Sequence, residues 1–240
     1  MNFFILSVTI LFYTLSNRAS ELRMTKSQAL AQGYKLQTAT YAHRTNDIDK
    51  HSLPWPVSFI DSKHTIGNSM PEYQNYANEA YYHGGADLRV SQGADLIAPI
   101  EGFLQGNYYS YVTDPDTGQD QKYIKPISAG GDELYFELSI KTLDGTLFEF
   151  HHVDAKKLPK NIYEMILKDG GPIQRGELIG STILWPTSRL GERYDHIHYN
   201  MISPSGVRMN PEYYSSELTD TTIPVIKNIF AIYKNKKVEV

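Results

Sequence analysis

The segment 133–154, "ELYFELSIKTLDGTLFEFHHVD", restricts the possible folds more than any other stretch. Two runs rich in apolar and aromatic residues flank Asp144-Gly145, a dipeptide suited to the tight turn of an antiparallel hairpin. Short apolar runs broken by turn residues continue on either side, from Leu88 through "GELIGSTILW" to the "YDHIHYNM" stretch at 194–201. Helical spacing is confined to a few places. Leu158, Ile162, Met165 and Ile166 recur at that spacing until Gly170-Gly171-Pro172 stops it. Met24 to Gln32 could form a second short helix. Strand-like material is expected from near Val57, and "TDPDTGQDQKYIKP" at 113–126 reads as a polar loop. The expected fold class is therefore mainly β, with antiparallel strands and one or two small helices.

A chain of 240 residues, 41% hydrophobic and 21% charged, can bury the core of a single domain. A net charge of -4 gives no reason to expect nucleic acid as a partner. The apolar run Phe3–Tyr13 is too short for a membrane span, which takes about 20 apolar residues. Small residues follow it, as in the h-region of a secretory signal, although no Lys or Arg precedes it. A buried N-terminal strand is the other reading. Cysteine is absent. That excludes a thiol nucleophile and a thiolate zinc site, so any metal must be held by His, Asp or Glu.

Five of the eight histidines fall into three clusters. On a strand, His196 and His198 share one face with Asn200, while Ile197, Tyr199 and Met201 share the other. "HGGAD" places His83 and Asp87 on either side of two glycines, which allow a tight turn and let the side chains converge. In "FEFHHVD", His151 and His152 are neighbours, so only one can face a given side. Parity alone does not choose between them. Each cluster by itself is also compatible with a hydrogen-bonded strand histidine or a plain glycine turn. Together they offer two imidazoles and a carboxylate, a familiar catalytic zinc set, with further histidines left to move protons.

In order, "HGGAD", "FHHV" and "HIH" resemble the three motifs of the lysostaphin-type (LytM-like) zinc metalloendopeptidases, which are peptidoglycan hydrolases. "QGADLIAPIEGFL", "IQRGELIGST" and "MNPEYY" resemble segments around those motifs. The resemblance covers about residues 55–215. It implies a β-sandwich or open barrel of the LytM-like type, with Zn2+ held by His83, Asp87 and His198 and with His152 and His196 as the catalytic histidines. It also implies hydrolysis of the peptide cross-links of bacterial peptidoglycan by an exported monomer, periplasmic or extracellular. The expected organisation is a signal peptide at 1–19, a linker or pro-segment at 20–54, the metalloendopeptidase domain at 55–215 and a strand-like tail at 216–240. Three departures stand out: Asn200 occupies a position where the family often has an acid, the loop at 113–126 is long, and a helical insertion follows His152. A non-catalytic wall-binding or regulatory protein on the same fold is the alternative. A cupin-like metal barrel would need a further histidine downstream of His198, and none follows.

Overall fold

The computed structural model describes residues 24–36, 48–60, 65–76, 79–113, 120–185, 188–189, 192–218, 230–233 and 236–239. The expected signal segment, His43 and His64 lie outside the described residues. The strands, in chain order, are β1 (Lys35–Leu36), β2 (Ile66–Asn68), β3 (Tyr73–Tyr76), β4 (Glu79–Tyr82), β5 (Ala86–Arg89), β6 (Asp95–Ile97), β7 (Gly102–Thr113), β8 (Asp120–Pro126), β9 (Phe136–Lys141), β10 (Leu147–His151), β11 (Gly171–Ile173), β12 (Leu178–Ser181), β13 (Ser188–Arg189), β14 (Glu192–Arg193), β15 (His196–Ile202), β16 (Arg208–Met209), β17 (Phe230–Tyr233) and β18 (Lys236–Glu239). The α-helices are α1 (Lys26–Ala31), α2 (Lys160–Ile166) and α3 (Pro211–Tyr214). The protein is mainly antiparallel β with small helices, as expected.

One large sheet runs β1-β8-β7-β9-β10-β15-β5-β2, with β11 added to β7 and β16 to β15. Every pairing within it is antiparallel. The period-2 pattern divides it into two faces. Leu104, Phe136, Leu138, Ile140, Phe148, Phe150, Ile197, Tyr199, Met201 and Leu88 point to the core and are fully buried. Each such side chain contributes about 1.5–3 kcal/mol of transfer free energy. The alternate positions, among them Glu137, Ser139, Glu149, His151, His198, Asn200 and Asp87, carry polar groups on the opposite face.

The hairpin at 133–154 forms β9 and β10, with Phe148 opposite Ile140. Its turn is fixed by Gly145 at φ 91° and by Asp144, whose carboxylate accepts from the backbone N–H of Thr146 at 3.1 Å and from both threonine hydroxyls beside it. Helix α2 buries Ile162 and Ile166, as its spacing implied. Beyond the helix end and the turn that follows it, Gly170 takes φ 104°, and a Cβ there would stand 2.3 Å from the Leu104 carbonyl oxygen. Only glycine combines that backbone with that approach.

Two expectations need correction. The stretch 113–126 is not all loop, because Asp120–Pro126 forms β8 and pairs with β7. Its polar residues looked like a loop because Lys122 lies on the sheet's polar face, held by buried carboxylates. Strand material also begins well before Val57, which makes only an isolated bridge to Leu96. Helix α1, with a capping box from Thr25 and Gln28, leads into β1 on the β8 edge, and Ala29 and Tyr34 are buried in the core. A two-residue strand leaves no periodic pattern to read. At the far end of the chain, β17 and β18 pair with each other.

Candidate metal centre

Register brings three of the singled-out residues together. His198 on β15 lies opposite Asp87 on β5 and opposite His151 on β10. His83 precedes β5 and returns to the same point across Gly84-Gly85. The turn is close: a Cβ on Gly85 would lie 2.3 Å from both the Tyr199 carbonyl oxygen and Asn200 Oδ1. Any side chain there would push β15 away from the residues that lead to His83.

The donor atoms form a small triangle. His83 Nε2 stands 2.9 Å from His198 Nδ1 and 3.1 Å from Asp87 Oδ1, and His198 Nδ1 stands 2.9 Å from Asp87 Oδ1. Ligand atoms of a tetrahedral zinc ion at about 2.0–2.1 Å are about 3.3 Å apart. Two imidazole nitrogens and a carboxylate oxygen, all on buried residues, thus fit a zinc-type ion in both chemistry and spacing. The other carboxylate oxygen, Asp87 Oδ2, accepts from the Asn68 side-chain amide and from the Tyr194 hydroxyl at 3.4 Å. Such partners fix the orientation of a ligand.

The electrostatics keep these groups in ligand form. Burial would raise the Asp87 carboxyl, but the charge of His196 and hydrogen bonds from His198 and His83 outweigh it and hold it well below the usual carboxylate range. Burial pushes His198 down to about 3, with the charges of His151 and His83 adding to the effect against Asp87. A neutral imidazole beside an ionised carboxylate is what a metal requires.

His152 and His196 complete the cluster. His152 lies one residue past the end of β10 and has φ 66°. Strict alternation would send it to the core face with Phe148 and Phe150. The left-handed backbone instead turns it toward His196, a conformation in which His is several-fold enriched among non-glycine residues. Its Nδ1 hydrogen bonds the Leu134 carbonyl oxygen at 2.8 Å, and His196 Nδ1 does the same to the Tyr194 carbonyl oxygen at 2.8 Å. A carbonyl can only accept, so both rings carry a proton on Nδ1, and in the neutral form of either ring Nε2 is the lone-pair atom. The two ring centroids are 4.8 Å apart, and His196 Nε2 is 3.9 Å from Asp87 Oδ1. Burial, then the charge of His196, lower His152 well below its ordinary value.

His151 is separate. It joins Glu137 and Glu149 in a second buried group with the residue types of a metal site. There Lys122 Nζ stands 2.5 Å from Glu137 and 2.7 Å from Glu149, so an ammonium already supplies the cation. His151 Nε2 is 3.0 Å from Glu137 Oε2. Burial would lower this imidazole, yet its hydrogen bonds to Glu137 and Glu149 raise it. Asn200 donates to Glu149 Oε2 at 3.1 Å across the strand pair.

Sequence reasoning passed over Asn68, Tyr194, Trp185 and the group of Lys122, Glu137 and Glu149. The aspartate's partners carry no spacing signal. Trp185, one of two tryptophans, was visible only as the end of a strand-like run.

No protein-family model matches the chain, and no curated protein matches it. Solved structures do. A chain of the SpoIIQ–SpoIIIAH pore-forming complex is 15% identical with a TM-score of 0.42, over 70% of this chain and 93% of that one. Csd3 of Helicobacter pylori is 14% identical with a TM-score of 0.41, over 71% of this chain and 36% of that one. A variant of the catalytic domain of the prophage-encoded protein EnpA from Enterococcus faecalis is 15% identical with a TM-score of 0.38, over 66% and 97%. Likeness at this level leaves the functional reading to the geometry of the site itself.

Proposed function

We propose that this protein is a zinc-dependent metalloendopeptidase that hydrolyses peptide cross-links of bacterial cell-wall peptidoglycan, exported to the cell envelope and acting as a monomer. The observation that carries the reading is the triangle of His83, Asp87 and His198, with edges of 2.9–3.1 Å, beside two imidazoles that each present Nε2. The wall-peptide substrate rests on the order of the three sequence motifs.

In this reading His83, Asp87 and His198 hold the ion. Bound zinc supplies a Lewis acid for the scissile carbonyl and lowers the pKa of water toward about 7. His152 and His196 then orient the attacking water, accept its proton at Nε2 and pass it to the leaving amine. The imidazole that is protonated at that moment also stabilises the developing oxyanion. Burial favours this step because charge interactions strengthen where water is excluded. The amide bond breaks, the water oxygen stays on the acyl carbon, and the amine leaves with the proton.

The test is digestion of purified walls of known chemistry, with released peptides identified by mass and zinc measured by elemental analysis. Zinc-loaded protein that releases no peptide from any wall type would favour the non-catalytic alternative. Protein that binds no zinc would reject both the ligand set and the reaction.

A further inference from the structure

Trp185 sets its ring against both imidazoles that the reaction would use, and the Tyr194 ring also lies against His196, at 4.8 Å. The Trp185 ring centroid lies 4.3 Å from that of His152 at 62° and 5.2 Å from that of His196 at 71°. The approach is built into the fold. Strand β12 ends beside the residues that follow β10, where Thr182 bridges Val153 and the Ile183 N–H donates to the His152 carbonyl at 3.0 Å. Two residues on, the Trp185 N–H donates to Oδ1 of buried Asp195 at 2.8 Å, next to His196 in sequence. The tryptophan is therefore tied by backbone to both histidine segments. Its side chain is half-buried.

Each imidazole has one anchoring hydrogen bond, at Nδ1. One bond leaves a ring free to rock about its Cβ–Cγ axis, which is broad and roughly two-fold for histidine. A flat ring set edge-on against both would block that motion. Edge-to-face contacts of this kind contribute about 0.5–1.5 kcal/mol beyond area burial. We propose that Trp185 is a positioning residue: its indole holds His152 and His196 at their mutual angle, so that both Nε2 atoms face the metal centre together. The inference rests on the reading of those two histidines as the reacting groups. It concerns their geometry, which can be read without turnover.

The test compares Trp185→Leu, which keeps apolar bulk and loses the flat ring, with Trp185→Phe, which keeps a ring. Full-length protein loaded with zinc and labelled with 15N at histidine is read by long-range 1H–15N spectra. In the parent and in Trp185→Phe, His152 and His196 are expected as single Nδ1–H tautomers. In Trp185→Leu both signals should broaden or average, with zinc content unchanged. On a wall-peptide substrate, kcat should fall by about a hundredfold in Trp185→Leu, as expected when reacting groups are misplaced, while KM holds. Unchanged imidazole signals in Trp185→Leu would overturn the inference, even if activity fell. A parent that shows fixed tautomers and no hydrolysis would instead overturn the proposed reaction and leave the positioning role standing. If Trp185→Leu does not fold, Trp185→Met takes its place under the same readings.

Discussion

His152 follows the end of β10 at φ 66°, His196 opens the neighbouring strand β15, and their ring centroids stand 4.8 Å apart. The backbone kink moves an imidazole from the core side of the sheet to the side that carries His198 and Asp87. Several outcomes depend on this and on the buried charges around it.

His152→Asn keeps a residue that tolerates the left-handed backbone and removes the Nε2 base. Turnover is expected to fall by about 10²–10⁴-fold, the usual worth of a positioned proton-transfer group. Zinc content, measured by elemental analysis, should stay at the parent's level. Loss of the metal in this variant would place His152 among the ligands instead.

Gly85→Ala puts a methyl group 2.3 Å from the Tyr199 carbonyl oxygen and from Asn200 Oδ1. Backbone must shift to admit it, at about 1–3 kcal/mol. The shift separates His83 from His198, so zinc affinity should drop together with the melting temperature. A calorimetric titration that returns the parent's affinity would show that the turn does not set the triangle.

Lys122→Met removes the ammonium from between Glu137 and Glu149. Breaking a buried pair from one side costs about 3–5 kcal/mol, because the other charge stays behind. The urea midpoint should fall accordingly. Adding Glu137→Gln and Glu149→Gln to the same chain should recover part of the loss. An unchanged midpoint in Lys122→Met would mean that the network contributes little to stability.

The pH dependence of stability, measured with a chelator present, follows from His198. Its folded value, about 3, lies below the ordinary value of about 6.5. Between those values the unfolded chain binds more protons, so the stabilisation is present above about pH 6.5 and is lost as the pH falls toward 3. Lowered Asp87 and Glu149 add to the acid loss below the ordinary carboxylate range. Raised His151 acts in the opposite sense, stabilising below about 6.5 and losing that effect as the pH rises through its folded value. His198→Gln should flatten the slope between about pH 6.5 and 4 in urea unfolding series. A slope as steep as the parent's would remove His198 from this role.

Much of the fold was legible because strands and turns are local. Asp144-Gly145 announced its hairpin, the spacing of Ile162 and Ile166 announced α2, and the alternation of "HIHYNM" separated His196 and His198 from Ile197, Tyr199 and Met201. Strand β8 was not legible, because its Lys122 is satisfied by carboxylates on other strands and Lys125 by the Gln32 carbonyl. Nor was the direction of His152: parity in "FEFHHVD" left two choices, and a backbone dihedral after the strand's end made the selection.

By itself, then, the amino-acid order determined which residues alternate, where the chain turns and which side chains could bind a metal. All of these depend on neighbours within a few positions. Which of those side chains meet was decided by tertiary structure, through the β5-β15-β10 register that sets Asp87, His198 and His151 side by side, and through the closure at Gly85. The physical reason is that strand pairing and close backbone approach join positions far apart in the chain, 111 residues for Asp87 and His198, and no local periodicity encodes their distance.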